Sequence, residues 1–293
     1  MLSNYSDCSI CIPVYNEEKI ISKVIEELKI SLPGAEIIVV NDGSSDKSLD
    51  VVSGIKNIRT LTHDRNIGYG GSLKTAMRAS TKSIVAWYDG DGQHKAKDLQ
   101  KALSLLKESL VDAVIGVRDH SSDLKISRMP GKFLIKIIAH LVVRHRVPDI
   151  NSGLRCFKKD VITKYLHLLP NGFSASSTST IVMMKRGYRI GYVSISTVKR
   201  TGTSSVKILK DGVKTIKLII RMLILFDAFN FFTILSLIQI IPATIYGIHI
   251  ALMVKLGFPT LAAVVVISGL LTFFIGIVSD QISQIRIEKF EQW

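Results

Sequence analysis

Two apolar runs near the carboxyl end, Phe231–Val254 and Phe258–Ser279, limit what this chain can fold into more than any other stretch. Both are almost free of charge, which argues against a pair of buried core helices. The first is 24 residues long. At about 1.5 Å of rise per residue such a helix reaches roughly 36 Å, against a bilayer core of roughly 30 Å. Lys255 lies between the runs, where a short external turn belongs. The reading is two transmembrane helices forming an anchor over residues 230–293, with a short tail.

Basic residues give the expected orientation. Lys199, Arg200, Lys207, Lys210, Lys214, Lys217 and Arg221 precede the first run, Arg286 and Lys289 follow the second, and Lys255 is alone in the connection. The positive-inside rule then places both termini, and the domain before the anchor, in the cytoplasm. The first seven residues have neither a basic n-region nor an apolar h-region, so no cleaved signal peptide is expected. The net charge of +14 raises the question of nucleic acid. Much of the excess lies just before the spans, which suits an anionic membrane surface, and the basic stripes alternate with long aliphatics and not with stacking aromatics. No nucleic-acid partner is expected. Cys8, Cys11 and Cys156 are too few for a disulfide scaffold and are read as buried and reduced.

Before about Asp227 the chain alternates strand and helix. Ser9–Val14 reads as a strand, and Asn16 as the cap of a helix with Glu17 and Glu18 in its first turn, running to about Leu32 before Pro33-Gly34. Glu36–Val40 is a second strand, after which Ser45 or Asp46 caps a helix to about Gly54. Arg59–His63, a helix through Ser80, a strand over Ser83–Trp87, a helix over Ala96–Ser109 and a strand over Ala113–Val117 follow. Each polar loop falls at the carboxyl end of its strand. That order implies a mostly parallel sheet covered on both faces, with ligands in the crevice outside the strand ends. Asp42, Asn66 and the pair Asp89 and Asp91 would converge there.

The stretch Tyr88-Asp89-Gly90-Asp91-Gly92-Gln93 carries the chemistry. Two carboxylates one residue apart after a buried strand suit a hard divalent cation, Mg²⁺ or Mn²⁺, that keeps open positions for phosphates. The run Gly68-Tyr69-Gly70-Gly71 lacks the third glycine of a dinucleotide fingerprint, and no glycine precedes Lys74-Thr75 as a Walker motif needs. It is read as glycine supplying positive φ before a helix. Two basic helical stripes, Lys132/Lys136/His140/Arg144 and Lys207/Lys210/Lys214/Lys217/Arg221, have the amphipathic pattern of interfacial helices. Between them Pro148–Phe157 joins a loop to a strand, with Asp149 near the crevice. A further strand is read at Tyr188–Val193.

The motifs PVYNE, VVNDGSSD, RNIGYGG, DGDGQ, DINSGLRCF and RTGTSS occur in that order. With them the chain resembles the family 2 glycosyltransferases of GT-A fold, in particular the dolichol-phosphate mannose synthase group and the bacterial polyprenyl-phosphate glycosyltransferases, over roughly residues 8–207. The resemblance implies a catalytic domain over 1–205, a juxtamembrane amphipathic helix over 206–229 and the anchor. It implies that Pro13, Tyr15, Glu17 and Asp42 cradle the donor's base and ribose, with Asp89 also on the nucleotide sugar. Asp89, Asp91 and Gln93 match the metal and diphosphate site. Arg118 and Arg128 match arginines that handle phosphates, and Asp149 an acidic residue facing the transferred sugar and acceptor. The catalytic set is then Asp149, Arg128 and Asp91. Ser152, Arg155, Arg200 and Ser205 lie in segments that shape the acceptor-phosphate pocket. Two departures stand out: Phe173–Ser179 has no acidic residue where many relatives have one, and neither Trp87 nor Trp293 sits in the Gln-x-x-Arg-Trp signature of processive synthases.

The implied activity is inverting, metal-dependent transfer of a monosaccharide from a UDP- or GDP-sugar to a polyprenyl phosphate at the cytoplasmic membrane face. The acceptor phosphate, with a second pKa near 6, is largely a dianion at neutral pH and needs little help from a base. Asp149 is therefore expected to position more than to abstract a proton. A different membrane acceptor and a catalytically silent nucleotide-binding scaffold are the alternatives, and homo-oligomers through the spans are possible.

Overall fold

The computed structural model describes residues 5–118, 148–197, 208–254 and 257–288. The chain divides into two compact units, Met1–Lys207 and Ile208–Trp293.

The first unit is built on β1 (Cys8–Val14), β2 (Glu36–Asn41), β3 (Arg59–Thr62), β4 (Ile84–Trp87), β5 (Ala113–Arg118), β6 (Arg155–Lys158) and β7 (Ile190–Ile195). They form one sheet in the order β3-β2-β1-β4-β6-β5-β7. All pairings are parallel except those of β6, which runs antiparallel to both β4 and β5. The expected mostly parallel sheet is present, with one reversed strand that sequence alternation did not reveal. The reversal matters for the site. It sets Arg155, the first residue of β6, opposite Trp87, the last of β4, so the loop leading into β6 arrives at the same sheet edge as the loop leaving β4.

Both faces of the sheet are buried, as the strand pattern requires. On one face Ile10, Ile12, Val14 and Val39 pack with α1 (Ile21–Ser31) through Ile21, Val24, Ile25 and Leu28, and with α4 (Ala96–Glu108) through Leu99, Ala102, Leu103 and Leu106. These helical positions recur at three and four residues, the spacing of a core-facing stripe. On the other face Cys11, Ile38, Val40, Val85, Trp87 and Phe157 meet α3 (Tyr69–Ala79) through Leu73, Ala76 and Met77, and α5 (Lys159–Thr163) through Val161 and Ile162. Each fully buried aliphatic side chain stabilises this arrangement by about 1.5–3 kcal/mol. The three cysteines are free and buried, as expected. Burial pushes the Cys8 thiol up to about 12 and raises Cys11 and Cys156 as well.

One local expectation fails. No helix starts at Asn16; α1 begins at Ile21. Asn16 adopts a left-handed φ of 57°, and its Oδ1 accepts the N–H of Ser45, 2.9 Å away, instead of capping its own helix. The N–H groups of Glu17 and Glu18 donate to Ser48 Oγ and Asp46 Oδ2. Residues 16–18 are thus tied to the segment after β2 that leads into α2. Asp46, one of the two caps anticipated for α2 (Ser48–Ser53), accepts the N–H of Ser48 at 2.9 Å.

The second unit contains α7 (Ile208–Val254) and α8 (Thr260–Glu288); a further helix, α6 (Ala175–Lys185), belongs to the first. Asp227 interrupts α7 with non-helical angles of −157° and 43°, where the composition changes. Its Oδ1 accepts the Asn230 amide at 2.7 Å. Leu223–Val254 and Thr260–Glu288 are long and apolar enough to cross a membrane. Ala262, Gly269, Gly276 and Ser283 are buried along α8 at intervals of seven residues, the small-residue seam that lets membrane helices approach closely. A Cβ on Gly276 would fall 2.4 Å from Phe232 Cβ. Gln239 adds polar contacts, donating to Thr272 Oγ1 and accepting from Ser268 Oγ.

Candidate active site

The carboxyl ends of β1, β2, β3 and β4 supply one wall of a crevice, and the loop into β6 supplies another. Pro13 lies near the end of β1, and after the strand come Tyr15, which is 46 % exposed, and the turn that carries Glu17. After β2, Asp42 is buried. Its Oδ1 accepts from His63 Nδ1 at 2.7 Å and from the Ile67 N–H at 2.9 Å, and its Oδ2 from the Gly68 N–H at 2.8 Å. The other ring nitrogen of His63 lies 2.9 Å from Thr75 Oγ1. Asp42 therefore braces the glycine-rich loop after β3. Gly68 has φ of 107°, as that loop was expected to require.

The loop after β4 presents Asp89, Asp91 and Gln93. Tyr69, the first residue of α3, donates its hydroxyl to Asp89 Oδ1 at 2.9 Å. Nε2 of His94 lies 3.4 Å from Asp89 Oδ2. Burial pushes the Asp89 carboxyl up, but His94, Tyr69 and the Arg118 charge outweigh it and hold the group below its ordinary value. Burial lowers His94, while Asp89 and Asp91 raise it by more, for a net upward shift. Asp91 Oδ1 accepts the Gln93 N–H at 3.0 Å across the turn at Gly92, whose φ is 71°. Among the described residues no group of three His, Cys, Asp or Glu side chains is placed to hold a metal ion. Two carboxylates and an amide oxygen still fit Mg²⁺ or Mn²⁺, which commonly take one or two carboxylates and complete their shell with substrate phosphates and water.

The second wall carries Asp149. Arg118, at the end of β5, meets it with Nε 2.7 Å from Oδ2 and Nη2 3.0 Å from Oδ1. The Asn151 N–H adds a contact at 3.2 Å. Burial raises Asp149, yet the guanidinium beside it prevails and keeps the carboxyl below the usual range. Gly153 in the same loop lies against the β4 loop, since a Cβ there would sit 2.1 Å from Asp89 Oδ2.

Arg155, expected at the acceptor phosphate, is instead 0 % exposed. Nε donates to the Ser152 carbonyl, Nη2 to the Ile150 carbonyl, and Nη1 to Ser179 Oγ and Thr180 Oγ1. Burial brings its pKa down to about 10. The residue fastens the Asp149 loop to α6 and does not face the crevice. Ser152 is also buried. Arg128, Arg200 and Ser205, the first basic stripe and Lys207 lie outside the described residues.

Sequence reasoning missed Tyr69, His63, His94 and Gly153. Tyr69 lies in the RNIGYGG motif, where its neighbouring glycines and not its hydroxyl carry the signal. His94 directly follows the acidic stretch, and its contact with Asp89 exists only once the turn at Gly92 closes.

Residues 9–166 match the family model for glycosyl transferase family 2, and residues 229–285 match a model of the GtrB C-terminal hairpin. An uncharacterized protein of Methanocaldococcus jannaschii is 29 % identical over 203 residues, covering 67 % of this chain and 83 % of that one. The UDP-N-acetylglucosamine–dolichyl-phosphate N-acetylglucosaminyltransferase of Methanococcus voltae is 26 % identical over 212 residues, 64 % of this chain and 84 % of that one. Among solved structures, glucosyl-3-phosphoglycerate synthase from Mycobacterium tuberculosis, bound to Mn²⁺, UDP-glucose and phosphoglyceric acid, superposes with a TM-score of 0.61 at 17 % identity, covering 74 % of this chain and 78 % of that one. At that identity the likeness speaks for the fold.

Proposed function

Because the chain belongs to glycosyl transferase family 2, we propose that it transfers a monosaccharide from a nucleotide sugar to a polyprenyl phosphate, with inversion and with a divalent cation. The observation that carries the reading is the approach of the Asp89 loop to the loop that holds the Arg118–Asp149 pair at one sheet edge, in a chain whose residues 229–285 match a GtrB-type hairpin. The activity named for the Methanococcus voltae relative supports the acceptor class.

In the reaction the bond from the anomeric carbon to the nucleotide diphosphate breaks, and one from that carbon to an acceptor phosphate oxygen forms. A bound Mg²⁺ or Mn²⁺ would stabilise the charge on the departing diphosphate. Asp89, Asp91 and Gln93 would hold it, and Pro13, Tyr15 and Glu17 would line the nucleotide's side of the crevice. Asp42 shapes that side through the loop after β3. The acceptor, largely dianionic at neutral pH, needs little help from a general base. Asp149, ionised and fixed by Arg118, orients the sugar, and Arg118 with Arg128 handles phosphate, with Ser152, Arg200 and Ser205 in the segments around it. Residues 1–205 would be the catalytic domain, 206–229 the juxtamembrane helix and 230–293 the anchor. The basic residues on either side of the spans favour a cytoplasmic active face.

The test uses detergent-purified protein, polyprenyl phosphate, Mg²⁺ or Mn²⁺ and a panel of UDP- and GDP-sugars, with lipid products read by mass spectrometry. One lipid-phosphate-sugar mass, absent from Asp91→Asn, is the expected result. Nucleotide release without glycolipid would remove the acceptor assignment.

A further inference from the structure

We infer that Tyr69 and His94 are positioning residues that clamp the two oxygens of Asp89 and so preset the carboxylate that receives the divalent cation. The inference rests on the metal-dependent reading above and adds two residues that neither the motif nor the family match assigns.

The clamp is built from both sides. The Tyr69 hydroxyl donates to Oδ1 at 2.9 Å, and His94 Nε2 stands 3.4 Å from Oδ2. Neither donor is free to drift. Tyr69 opens α3 directly after Gly68, whose N–H is held by Asp42 Oδ2. Gly70, the next residue, is seated so closely that a Cβ would lie 2.1 Å from the Pro170 carbonyl. The Tyr69 ring stacks on Phe173, with centroids 5.4 Å apart and planes inclined by 22°. His94 is 8 % exposed; its carbonyl accepts the Tyr88 hydroxyl at 2.6 Å, and its ring lies 5.9 Å from that of Tyr88. The carboxylate favours the imidazole tautomer with its proton on Nε2. Gly153 closes the third side, leaving Oδ2 no room to swing toward β6. Asp42 and Asp89, from neighbouring loops, are thereby coupled through a single turn of backbone.

Carboxylates that bind metals work best when outer partners fix their orientation, and loss of such partners typically lowers metal affinity 10- to 100-fold. Full-length protein in detergent, titrated with Mn²⁺ alone and read by the free-ion EPR signal, tests the clamp. His94→Ala and Tyr69→Phe should each weaken Mn²⁺ binding by about tenfold or more, whereas His94→Gln, which keeps a donor, should stay close to the parent. In transfer assays the Mn²⁺ concentration for half-maximal rate should rise in the first two variants, with the rate recovering at saturating Mn²⁺. Unchanged Mn²⁺ affinity in both variants would overturn the clamp while leaving the metal assignment standing. A loss in His94→Gln equal to that in His94→Ala, with a lowered thermal midpoint, would also overturn it by assigning His94 to packing. Failure of the parent chain to bind Mn²⁺ would remove the metal reading and the clamp together.

Discussion

Arg118 closes a two-point fork on Asp149, with nitrogens 2.7 and 3.0 Å from the two carboxylate oxygens. The partners come from the end of β5 and from the loop entering β6, and only the antiparallel entry of β6 brings them together. A lysine would keep the charge but lose the planar fork. The charge-assisted hydrogen bond forfeited is worth ~1.5–3 kcal/mol. Arg118→Lys should therefore lower kcat/KM for lipid-linked sugar formation by roughly 10- to 100-fold, and lower the thermal midpoint by a few degrees because the same bond is lost from the folded state. A rate within twofold of the parent would take the fork out of the mechanism.

The same pair sets an acid limit. The folded carboxyl of Asp149 sits below its ordinary value because the Arg118 interaction outweighs burial. A depressed carboxylate contributes stability that is present above its unfolded pKa, about 3.9, and is lost as pH falls through the folded value. Asp149 should thus leave stability flat across neutral pH, with loss beginning below about pH 4. In Arg118→Ala, burial remains without the guanidinium, so the carboxyl rises toward or above its unfolded value. The variant should be less stable at neutral pH, and the acid loss contributed by Asp149 should shrink or reverse. Thermal midpoints of parent and variant from pH 3 to 8 would show this, and superimposable curves would count against it.

Much of the architecture was legible because parallel strands buried on both faces have near-continuous apolar runs. Ile37–Val40 and Ile84–Trp87 declare themselves without tertiary information. The acidic turn and the two long apolar helices were legible for similar reasons, being local in sequence. What could not be read depends on closure between distant segments. Asn16 resembles a helix cap until the loop after β2 competes for its side chain. Arg155 looks like a free cation until β6 is reversed and α6 packs over it. Tyr69 is only a residue between glycines until α3 carries its hydroxyl to Asp89.

Arg155 separates a structural from a binding role. Its guanidinium satisfies the carbonyls of Ile150 and Ser152 and the hydroxyls of Ser179 and Thr180. Replacing it with methionine keeps much of the volume and strands those acceptors, at about 1–3 kcal/mol for each buried group left unpaired. Arg155→Met should lower stability by ~3 kcal/mol or more, followed through the fluorescence of Trp87, which is its neighbour across β4 and β6. A variant of parental stability with a raised KM for polyprenyl phosphate would return Arg155 to the acceptor pocket.

The hairpin offers a test that does not involve the catalytic unit. Gly276 faces Phe232 so closely that any Cβ would fall 2.4 Å from Phe232 Cβ, and Gly269 is similarly placed against Ile240. Without a hydrophobic force between helices in lipid, such close approach supplies much of the attraction. Gly276→Leu would overpack the seam and should destabilise the hairpin by about 1–3 kcal/mol. If the contact with Phe232 is the cause, the two positions must couple. Phe232→Gly, which removes the Cβ that would be struck, should cost stability alone yet recover part of the loss when combined with Gly276→Leu, giving an interaction energy of ~0.5–3 kcal/mol in a double-mutant cycle. The cycle can be read from thermal aggregation midpoints in detergent. Strict additivity of the two substitutions would show that Gly276 acts elsewhere than against Phe232.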